Sequence, residues 1–290
     1  MSLDESQSRG SNAADEIVQF ITGAAAEHFR VRRDSFIVGI CGSQGSGKST
    51  ACNDATSRLA SAGLSTAVLS LDDLYISPAA RTELALNIHP LLRTRGVPGT
   101  HDVELGHQIF QSLGRAGNTA MPRFDKALDM PVSESEWTRV RGPVDVILFE
   151  GWCVGARPQA PDALITPANA LERECDAMGN WRRFVNGALA GPYQGLFARL
   201  DKLILMAAPD FNVVAGWRQE QERSLRARLR AEGRSEEQTM DDAEIDRFVQ
   251  HYERLTRHIL SEMPARADCV IYLDGGRGVV GTQVRRYNSR

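Results

Sequence analysis

The sequence predicts an α/β fold in which a parallel β-sheet is flanked by helices on both faces. Short, mostly apolar segments rich in β-branched residues, which are typical of buried strands, recur along the 290-residue chain. Longer segments with a helical spacing of apolar residues lie between them. This alternation favours a parallel sheet, because each helix returns the chain to the edge from which the next strand starts.

Five segments have the length and composition of strands in this sheet, and none of them contains proline. They are residues 36–41, 65–71, 144–149, 200–207 and 269–273. Six segments have helical character and alternate with them. They are residues 13–30, 50–62, 103–113, 167–183, 211–231 and 241–263. Asp102 is a candidate N-cap for the third of these helices, and Pro167 is a typical first residue for the fourth.

Three other segments show no sustained periodicity. Residues 78–99 contain several prolines and arginines and are predicted to form a long functional loop. Residues 120–131 lie between prolines and favour an extended edge strand over a core strand. The residues from 275 onward are predicted to be a tail rich in glycine and arginine.

These segments suggest one domain over residues 13–290, preceded by a disordered tail over residues 1–12. Residues 72–143 interrupt the strand–helix alternation, so we expect them to form an insertion on the same domain.

The most informative motif lies between the first strand and the helix that follows it. Residues 42–49 match G-x-x-x-x-G-K-[ST]. This pattern is typical of a phosphate-binding loop when it lies between a strand and a helix, as it does here. Glycines let the backbone N–H groups turn inward around an anion, and the helix N-terminus adds a positive end. The predicted nucleotide-binding residues are Gly42, Ser43, Gln44, Gly45, Ser46, Gly47, Lys48, Ser49 and Thr50.

Within this loop, Lys48 is expected to contact the β- and γ-phosphates of a nucleoside triphosphate, and the Ser49 hydroxyl to bind Mg²⁺. Lysine is rare in this chain, since only Lys48, Lys126 and Lys202 occur among 34 basic residues. A lysine kept where arginine is the usual cation indicates a site that a planar guanidinium does not suit. A dinucleotide fingerprint is excluded, because Thr50 stands where its third glycine or alanine belongs.

Three carboxylates follow predicted strands, at the edge of a parallel sheet where ligands bind. Glu150 follows residues 144–149 and is a candidate ligand of Mg²⁺, directly or through water. Asp72 is a candidate base that accepts the proton of an attacking hydroxyl. A local turn is the alternative role for Asp72. For Asp73 that structural role is at least as well supported as a catalytic one.

Composition limits the partners of the chain. A formal net charge of −3 gives no basic field for nucleic acid, and no apolar run approaches the ~20 residues of a membrane span. The five cysteines are scattered and lack paired spacing, which predicts reduced thiols in a cytoplasmic protein. The sequence does not indicate an oligomeric state.

Several motifs together resemble the P-loop kinases of the phosphoribulokinase, uridine kinase and pantothenate kinase superfamily, and among these the D-glycerate 3-kinases. The motifs are G-S-Q-G-S-G-K-S-T at 42–50, D-D-L-Y at 72–75, R-G-V-P-G-T-H-D at 95–102, P-R-F-D-K at 122–126, F-E-G-W at 149–152 and W-R-Q-E-Q-E at 217–222. They span nearly the whole predicted domain. Two stretches, residues 78–92 and 153–155, depart from the family pattern.

This resemblance implies ATP and Mg²⁺ as cofactors and places Asp72 at the position of the superfamily's catalytic aspartate. It also implies that residues on the intervening segments surround the phosphoryl acceptor: Tyr75, Arg95, His101, Asp102, Arg123, Asp125 and Lys126. Polar clusters on irregular segments are common in substrate recognition, although a single arginine or histidine in a loop is more often a solvated surface group.

We therefore expect an ATP-dependent kinase that phosphorylates a hydroxyl of a small hydroxy acid, with D-glycerate as the first candidate. Two alternatives stay open: a kinase of the same superfamily with pantothenate, a nucleoside or a sugar as acceptor, and a non-catalytic nucleotide-binding module. The presence of both Asp72 and Glu150 argues against the module, because binding alone requires no base.

Overall fold

The computed structural model describes residues 12–233 and 239–285. Its strands are β1 (Phe36–Gly42), β2 (Thr66–Ser70), β3 (Gly117–Met121), β4 (Phe124–Asp125), β5 (Met130–Pro131), β6 (Thr138–Gly142), β7 (Val146–Gly151), β8 (Lys202–Ala207), β9 (Cys269–Leu273) and β10 (Val279–Val284). Its α-helices are α1 (Ala13–Val31), α2 (Lys48–Ser61), α3 (Pro78–Asn87), α4 (Val103–Leu113), α5 (Ala170–Cys175), α6 (Asn180–Ala188), α7 (Gln194–Phe197), α8 (Phe211–Ala231) and α9 (Asp242–Glu262).

The main sheet has the strand order β10-β9-β8-β1-β7-β2. All neighbouring strands from β9 to β2 are parallel, and only β10 at the edge is antiparallel to its neighbour. The β1 strand is central, and all of its residues are buried. Successive β1 residues belong to different cores: Ile37 packs in one and Val38 in the other. The predicted parallel sheet with helices on both faces is therefore confirmed.

Helices α1 and α2 cover one face of the sheet, where Ile17 and Leu59 pack against Val38 and its neighbours. Helices α4 and α7 cover the opposite face, where Phe110 and Leu196 are buried. Helix α9 contributes side chains to both cores. The carboxyl ends of β1, β7 and β2 consequently meet at one edge, where their loops form the site described below.

The prediction of a long loop over residues 78–99 is wrong, because α3 and a 3-10 turn over Pro90–Arg93 lie there. Helix α3 starts with a cap, in which the Ser77 side chain accepts a hydrogen bond from the Ala80 N–H. Its buried positions are Arg81 and Ala85, so the helix has no apolar stripe that periodicity could detect.

The single helix predicted over residues 167–183 is also wrong, since α5 ends at Cys175 and α6 begins at Asn180. Gly179 has φ 74° in the intervening turn. The Asp176 carboxylate accepts hydrogen bonds from the Trp181 and Arg182 N–H groups, at 2.8 and 3.1 Å, and so caps the second helix.

Two predictions about extended structure need correction. The segment from residue 275 onward is not simply a tail, because it contains β10. The edge strand predicted over residues 120–131 is outside the main sheet: β3 pairs with β6, and β4 pairs with β5. Of the predicted tail, only Asn12 is among the described residues, and it caps α1.

Candidate active site

The phosphate loop connects β1 to α2 and occupies the carboxyl end of the central strand. Gly45 and Gly47 have φ values of 74° and 82°, which favour glycine. A Cβ atom on Gly45 would lie 2.7 Å from the Cβ of Trp217 on α8, so the loop backbone packs directly against that helix. Helix α2 begins immediately after Gly47, and its first N–H groups therefore face the loop.

The side chains of the loop leave hydrogen-bonding capacity open. Within the described parts of the chain, the hydroxyls of Ser43 and Ser46 are buried and have no hydrogen-bond partner. The Lys48 side chain is only 12% exposed, and its Nζ lies 3.9 Å from the nearer Glu150 oxygen. A buried lysine with unused hydroxyl donors around it is a suitable environment for an anion such as a triphosphate.

Glu150 lies near the end of β7, directly opposite Ile40 of the neighbouring β1. One of its oxygens accepts a hydrogen bond of 2.8 Å from the Ser49 hydroxyl. Its other oxygen, Oε2, is buried and has no hydrogen-bond partner among the described residues. A hydroxyl next to an unsatisfied carboxylate oxygen fits a hard divalent cation.

Residues 12–233 and 239–285 contain no group of three or more His, Cys, Asp or Glu side chains that could hold a metal ion. A cation at Ser49 and Glu150 would therefore take its other ligands from water and phosphate oxygens, which is usual for Mg²⁺.

Asp72 lies in a 3-10 turn over Leu71–Leu74, directly after β2. Its Oδ1 accepts a hydrogen bond of 2.7 Å from the Tyr75 hydroxyl, and its Oδ2 pairs with Lys126 Nζ at 2.6 Å. Burial alone would raise the pKa of the Asp72 carboxyl. The charges of Lys126 and Lys48 and the two hydrogen bonds outweigh burial and hold that pKa well below its usual range.

Asp73, the next residue, accepts a hydrogen bond of 3.0 Å from the Phe124 N–H. Burial raises the pKa of Asp73 to about 6, and the nearby charges of Asp72 and Glu150 add to this. The two adjacent carboxylates thus have opposite pKa shifts. Asp73 ties the turn after β2 to β4, whereas Asp72 pairs with a cation in the site.

Tyr75 and His101 stack on each other, with ring centroids 4.6 Å apart. The Tyr193 hydroxyl accepts a hydrogen bond of 3.0 Å from the Gly99 N–H and forms a second hydrogen bond, 2.5 Å long, with His101 Nδ1. Burial lowers the pKa of His101 to about 3, so its ring is neutral at pH 7. This histidine belongs to an aromatic wall that supports Tyr75.

Arg95 and Lys126 meet around the turn between β4 and β5. Arg95 Nη1 donates to the Asp129 carboxylate at 2.5 Å, and Arg95 Nη2 donates to the Lys126 carbonyl at 3.3 Å. The guanidinium carbon of Arg95 also lies 5.6 Å from the ring centre of Phe124. These contacts hold the turn that carries Lys126 over Asp72.

Two residues of this network, Arg81 and Asp129, were missed by the sequence analysis. Arg81 is 1% exposed and forms an ion pair with the other Asp129 oxygen. It also donates to the carbonyls of Ile76 and Arg93, at 2.7 and 3.1 Å. A buried arginine is rare unless it is paired, but its burial cannot be inferred from a segment without periodicity.

Not every predicted acceptor residue points into this network. Asp102 caps α4 and accepts from the Leu105 N–H at 2.9 Å, as its predicted N-cap role requires. The Asp125 carboxylate accepts from the N–H groups of residues 127 and 128 and shapes the turn that contains Lys126. Arg123 is exposed on the loop before β4.

Comparison with known proteins identifies the family to which the chain belongs. No protein-family profile matches the sequence. The chain is 33% identical over 226 residues to an uncharacterized kinase, mug58, of Schizosaccharomyces pombe, and the match covers 75% of this chain and 78% of that protein. It is 26% identical over 242 residues to the chloroplastic D-glycerate 3-kinase of Arabidopsis thaliana, covering 80% of this chain and 50% of that one. The chain belongs to the family of D-glycerate 3-kinase-like P-loop kinases.

A solved structure supports the fold of this kinase. The D-glycerate 3-kinase of Cryptococcus neoformans superimposes with a TM-score of 0.79 at 24% identity, over 95% of this chain and 100% of that one. The predicted P-loop fold is therefore confirmed. The sequence relatives are kinases, so the protein is a phosphotransferase of a family that uses ATP.

In residues 12–233 and 239–285, no helix has both the length and the apolar character that crossing a membrane requires. The cytoplasmic location stays a prediction.

Proposed function

We propose that this kinase transfers the γ-phosphoryl group of ATP to a hydroxyl of a short hydroxy acid, with D-glycerate as the first candidate. The observation that carries this proposal is the 2.6 Å ion pair of Asp72 with Lys126 after the carboxyl end of β2, where the charge of Lys48 also acts on Asp72. It places a proton acceptor and a cation for a substrate carboxylate side by side, as phosphorylation of a hydroxy acid requires.

The phosphate loop would hold the triphosphate through its inward N–H groups, with Lys48 neutralising the β- and γ-phosphates. Ser49 and Glu150 fit a Mg²⁺ ion, which when bound would offset the charge that develops on the transferring group. Most of the catalytic effect would come from positioning and charge stabilisation.

Asp72 would orient the attacking hydroxyl and take its proton as the new bond forms. Its low pKa makes it a weak base at the start, which suits phosphoryl transfer, because the hydroxyl becomes acidic only late in the reaction. Lys126, with its side chain 59% exposed, would receive the carboxylate, together with Arg95 or Arg123. We also propose that residues 72–143 form the acceptor-binding insertion.

Steady-state kinetics with matched acceptors test this proposal. D-Glycerate should be phosphorylated, and glycerol, which has the same three carbons without the carboxylate, should be at least ~10²-fold poorer in kcat/KM. Arg123→Ala should raise the KM for the acid while leaving the KM for ATP nearly unchanged.

Equal use of glycerol and glycerate would reject an acid-binding site. A clear preference for uridine, pantothenate or a sugar would assign the acceptor elsewhere in the superfamily and leave the kinase activity in place.

A further inference from the structure

The turn between β9 and β10 contacts the phosphate loop through Arg277. Arg277 Nε donates a hydrogen bond of 2.5 Å to the Gly45 carbonyl, and Nη2 pairs with Glu220 of α8 at 2.6 Å. The guanidinium carbon lies 5.3 Å from the centre of the Trp217 ring. One side chain therefore joins this turn to the helix α8 and to a loop that lies 232 positions earlier in the chain.

Arg277 has a backbone conformation that arginine rarely adopts. Its φ is 71°, in the left-handed region, although its neighbours Gly275, Gly276 and Gly278 are glycines. The Asp274 carboxylate holds the turn closed, because it accepts hydrogen bonds of 2.8 and 2.7 Å from the Gly276 and Gly278 N–H groups. A glycine would adopt φ 71° without a steric cost. The contacts of the side chain therefore explain an arginine at this position better than the turn does.

The bond to the Gly45 carbonyl is the contact that bears on anion binding. A peptide bond is planar and trans, so a carbonyl and the N–H of the next residue point in opposite directions. Arg277 holds the Gly45 carbonyl toward the β9–β10 turn. The Ser46 N–H consequently points the other way, into the loop, and its nitrogen lies 3.2 Å from the Ser43 carbonyl oxygen.

This peptide could present either of its ends to a phosphate. Rotation of the Gly45–Ser46 peptide would bring the partial negative charge of the carbonyl oxygen into the loop, where it would repel a phosphate. Such a rotation is least hindered next to a glycine, because glycine has no Cβ. The hydrogen bond from Arg277 opposes it.

We propose that Arg277 is a positioning residue for ATP, which keeps the Gly45–Ser46 peptide oriented with its N–H, and not its carbonyl, toward the triphosphate. Arg277 acts through the loop and does not touch the substrate. This inference rests on the proposed function only in taking the phosphate loop as the ATP site, and it does not depend on which acceptor is phosphorylated.

Arg277→Asn tests the proposal with little disturbance of the turn, because asparagine tolerates a left-handed φ. We expect the Kd for ATP, measured by titration calorimetry, to rise about tenfold, as is typical when a hydrogen bond from a charged donor is lost. The KM for ATP should rise by a similar factor. At saturating ATP, kcat should stay within about twofold of the wild type, because the loop binds ground state and transition state alike.

This pattern separates positioning from a structural role. If Arg277 only stabilised the fold, its loss would reduce the fraction of active enzyme, so that kcat would fall while the KM for ATP stayed the same. That result would overturn the proposal.

Glu220→Gln is the matched control. It removes the charge that pairs with Nη2 of Arg277 and leaves the bond from Nε to Gly45 in place. The side chains of this ion pair are 28% and 62% exposed, so the pair contributes little, and the Kd for ATP should change less than about twofold. A loss as large as that in Arg277→Asn would overturn the role of the Gly45 contact.

Arg277→Lys keeps the positive charge but replaces the planar guanidinium, which reaches Gly45 and Glu220 together, with a single ammonium group. Its affinity for ATP should lie between those of the wild type and Arg277→Asn. An affinity equal to that of the wild type would show that charge alone is sufficient, and would overturn the orienting role.

Inorganic tripolyphosphate tests which part of the nucleotide depends on Arg277. It carries the phosphate chain without adenosine, so its inhibition constant against ATP should rise in Arg277→Asn by the same factor as the Kd for ATP. If Arg277 served the adenosine part instead, tripolyphosphate would bind both proteins equally. That result would also overturn the proposal.

The two proposals fail separately. An unchanged affinity for ATP in Arg277→Asn, with glycerate phosphorylated by the wild type, overturns the role of Arg277 and leaves the proposed function. A tenfold loss of ATP affinity in a kinase that does not use glycerate overturns the proposed acceptor and leaves the role of Arg277. A wild-type protein that does not bind ATP overturns both.

Discussion

The two sides of the site are built from different parts of the chain. The phosphate side is backbone: one contiguous loop, with Gly45 packed on Trp217 and its carbonyl accepting a hydrogen bond of 2.5 Å from Arg277. The acceptor side is a set of charged side chains from separate segments, paired with one another through Asp72 and Asp129. The first is a backbone loop held by packing against a helix, whereas the second consists of side chains that are held by ion pairs between separate segments.

The largest difference between the two sides should appear when the charge of Asp72 and, separately, the charge of Asp73 are removed. Asp72→Asn should lower kcat by roughly 10²–10⁴-fold with little change in the affinity for ATP, because it affects only the acceptor side. Asp73→Asn should lower kcat much less, since Asp73 accepts a backbone hydrogen bond that an amide oxygen can also accept. Kinetics and ATP titration of both variants check this, and the reverse order would assign the base to Asp73.

The phosphate side is tested by Lys48→Ala. We expect ATP binding and phosphoryl transfer to weaken by at least ~10²-fold, because a buried charge-assisted contact is lost. The fold should survive, which circular dichroism can show. Turnover at the wild-type level would contradict the role of this lysine.

Removing the charge of Asp129 should have a smaller effect, and it should affect the acceptor side only. Asp129→Asn keeps a residue that tolerates φ 53° but removes the charge that Arg81 and Arg95 share. We expect the KM for the acid acceptor to rise by about 10-fold and the free energy of unfolding to fall by roughly 1–2 kcal/mol. The KM for ATP should stay the same, and a parallel rise in it would show that the two sides are coupled.

The smallest expected effect on catalysis is at Asp73. There the free energy of unfolding should depend on pH. The pKa of Asp73 is raised to about 6 by burial, so the protonated form stabilises the fold. This contribution is complete below about pH 4, the unfolded value, and is lost as the pH rises through about 6. Asp73→Asn mimics the protonated form. In chemical denaturation it should match the wild type near pH 4 and be more stable by up to about 3 kcal/mol at pH 7. An equal difference at both values would contradict the shift.

The sequence predicted the phosphate side better than the acceptor side for a physical reason. Loop, strand and helix are adjacent in the chain, so Gly42 to Thr50 carry all the local information that their geometry needs. The parallel sheet followed from apolar runs in the same way. On the acceptor side, the contact of Asp72 with Lys126 joins residues 54 positions apart. The role of Arg81 depends on burial that only the folded chain creates.

Trp217 gives this kinase an intrinsic optical reporter. Its indole N–H donates to the Gly275 carbonyl at 2.7 Å, and the Arg277 guanidinium carbon lies 5.3 Å from its ring centre. Because the same side chain contacts Gly45, its fluorescence should change whenever the phosphate loop fills. Nucleotide binding could then be followed by fluorescence on the millisecond scale without a label. A Trp217→Phe protein would be the control, because it keeps the other tryptophans and loses this signal.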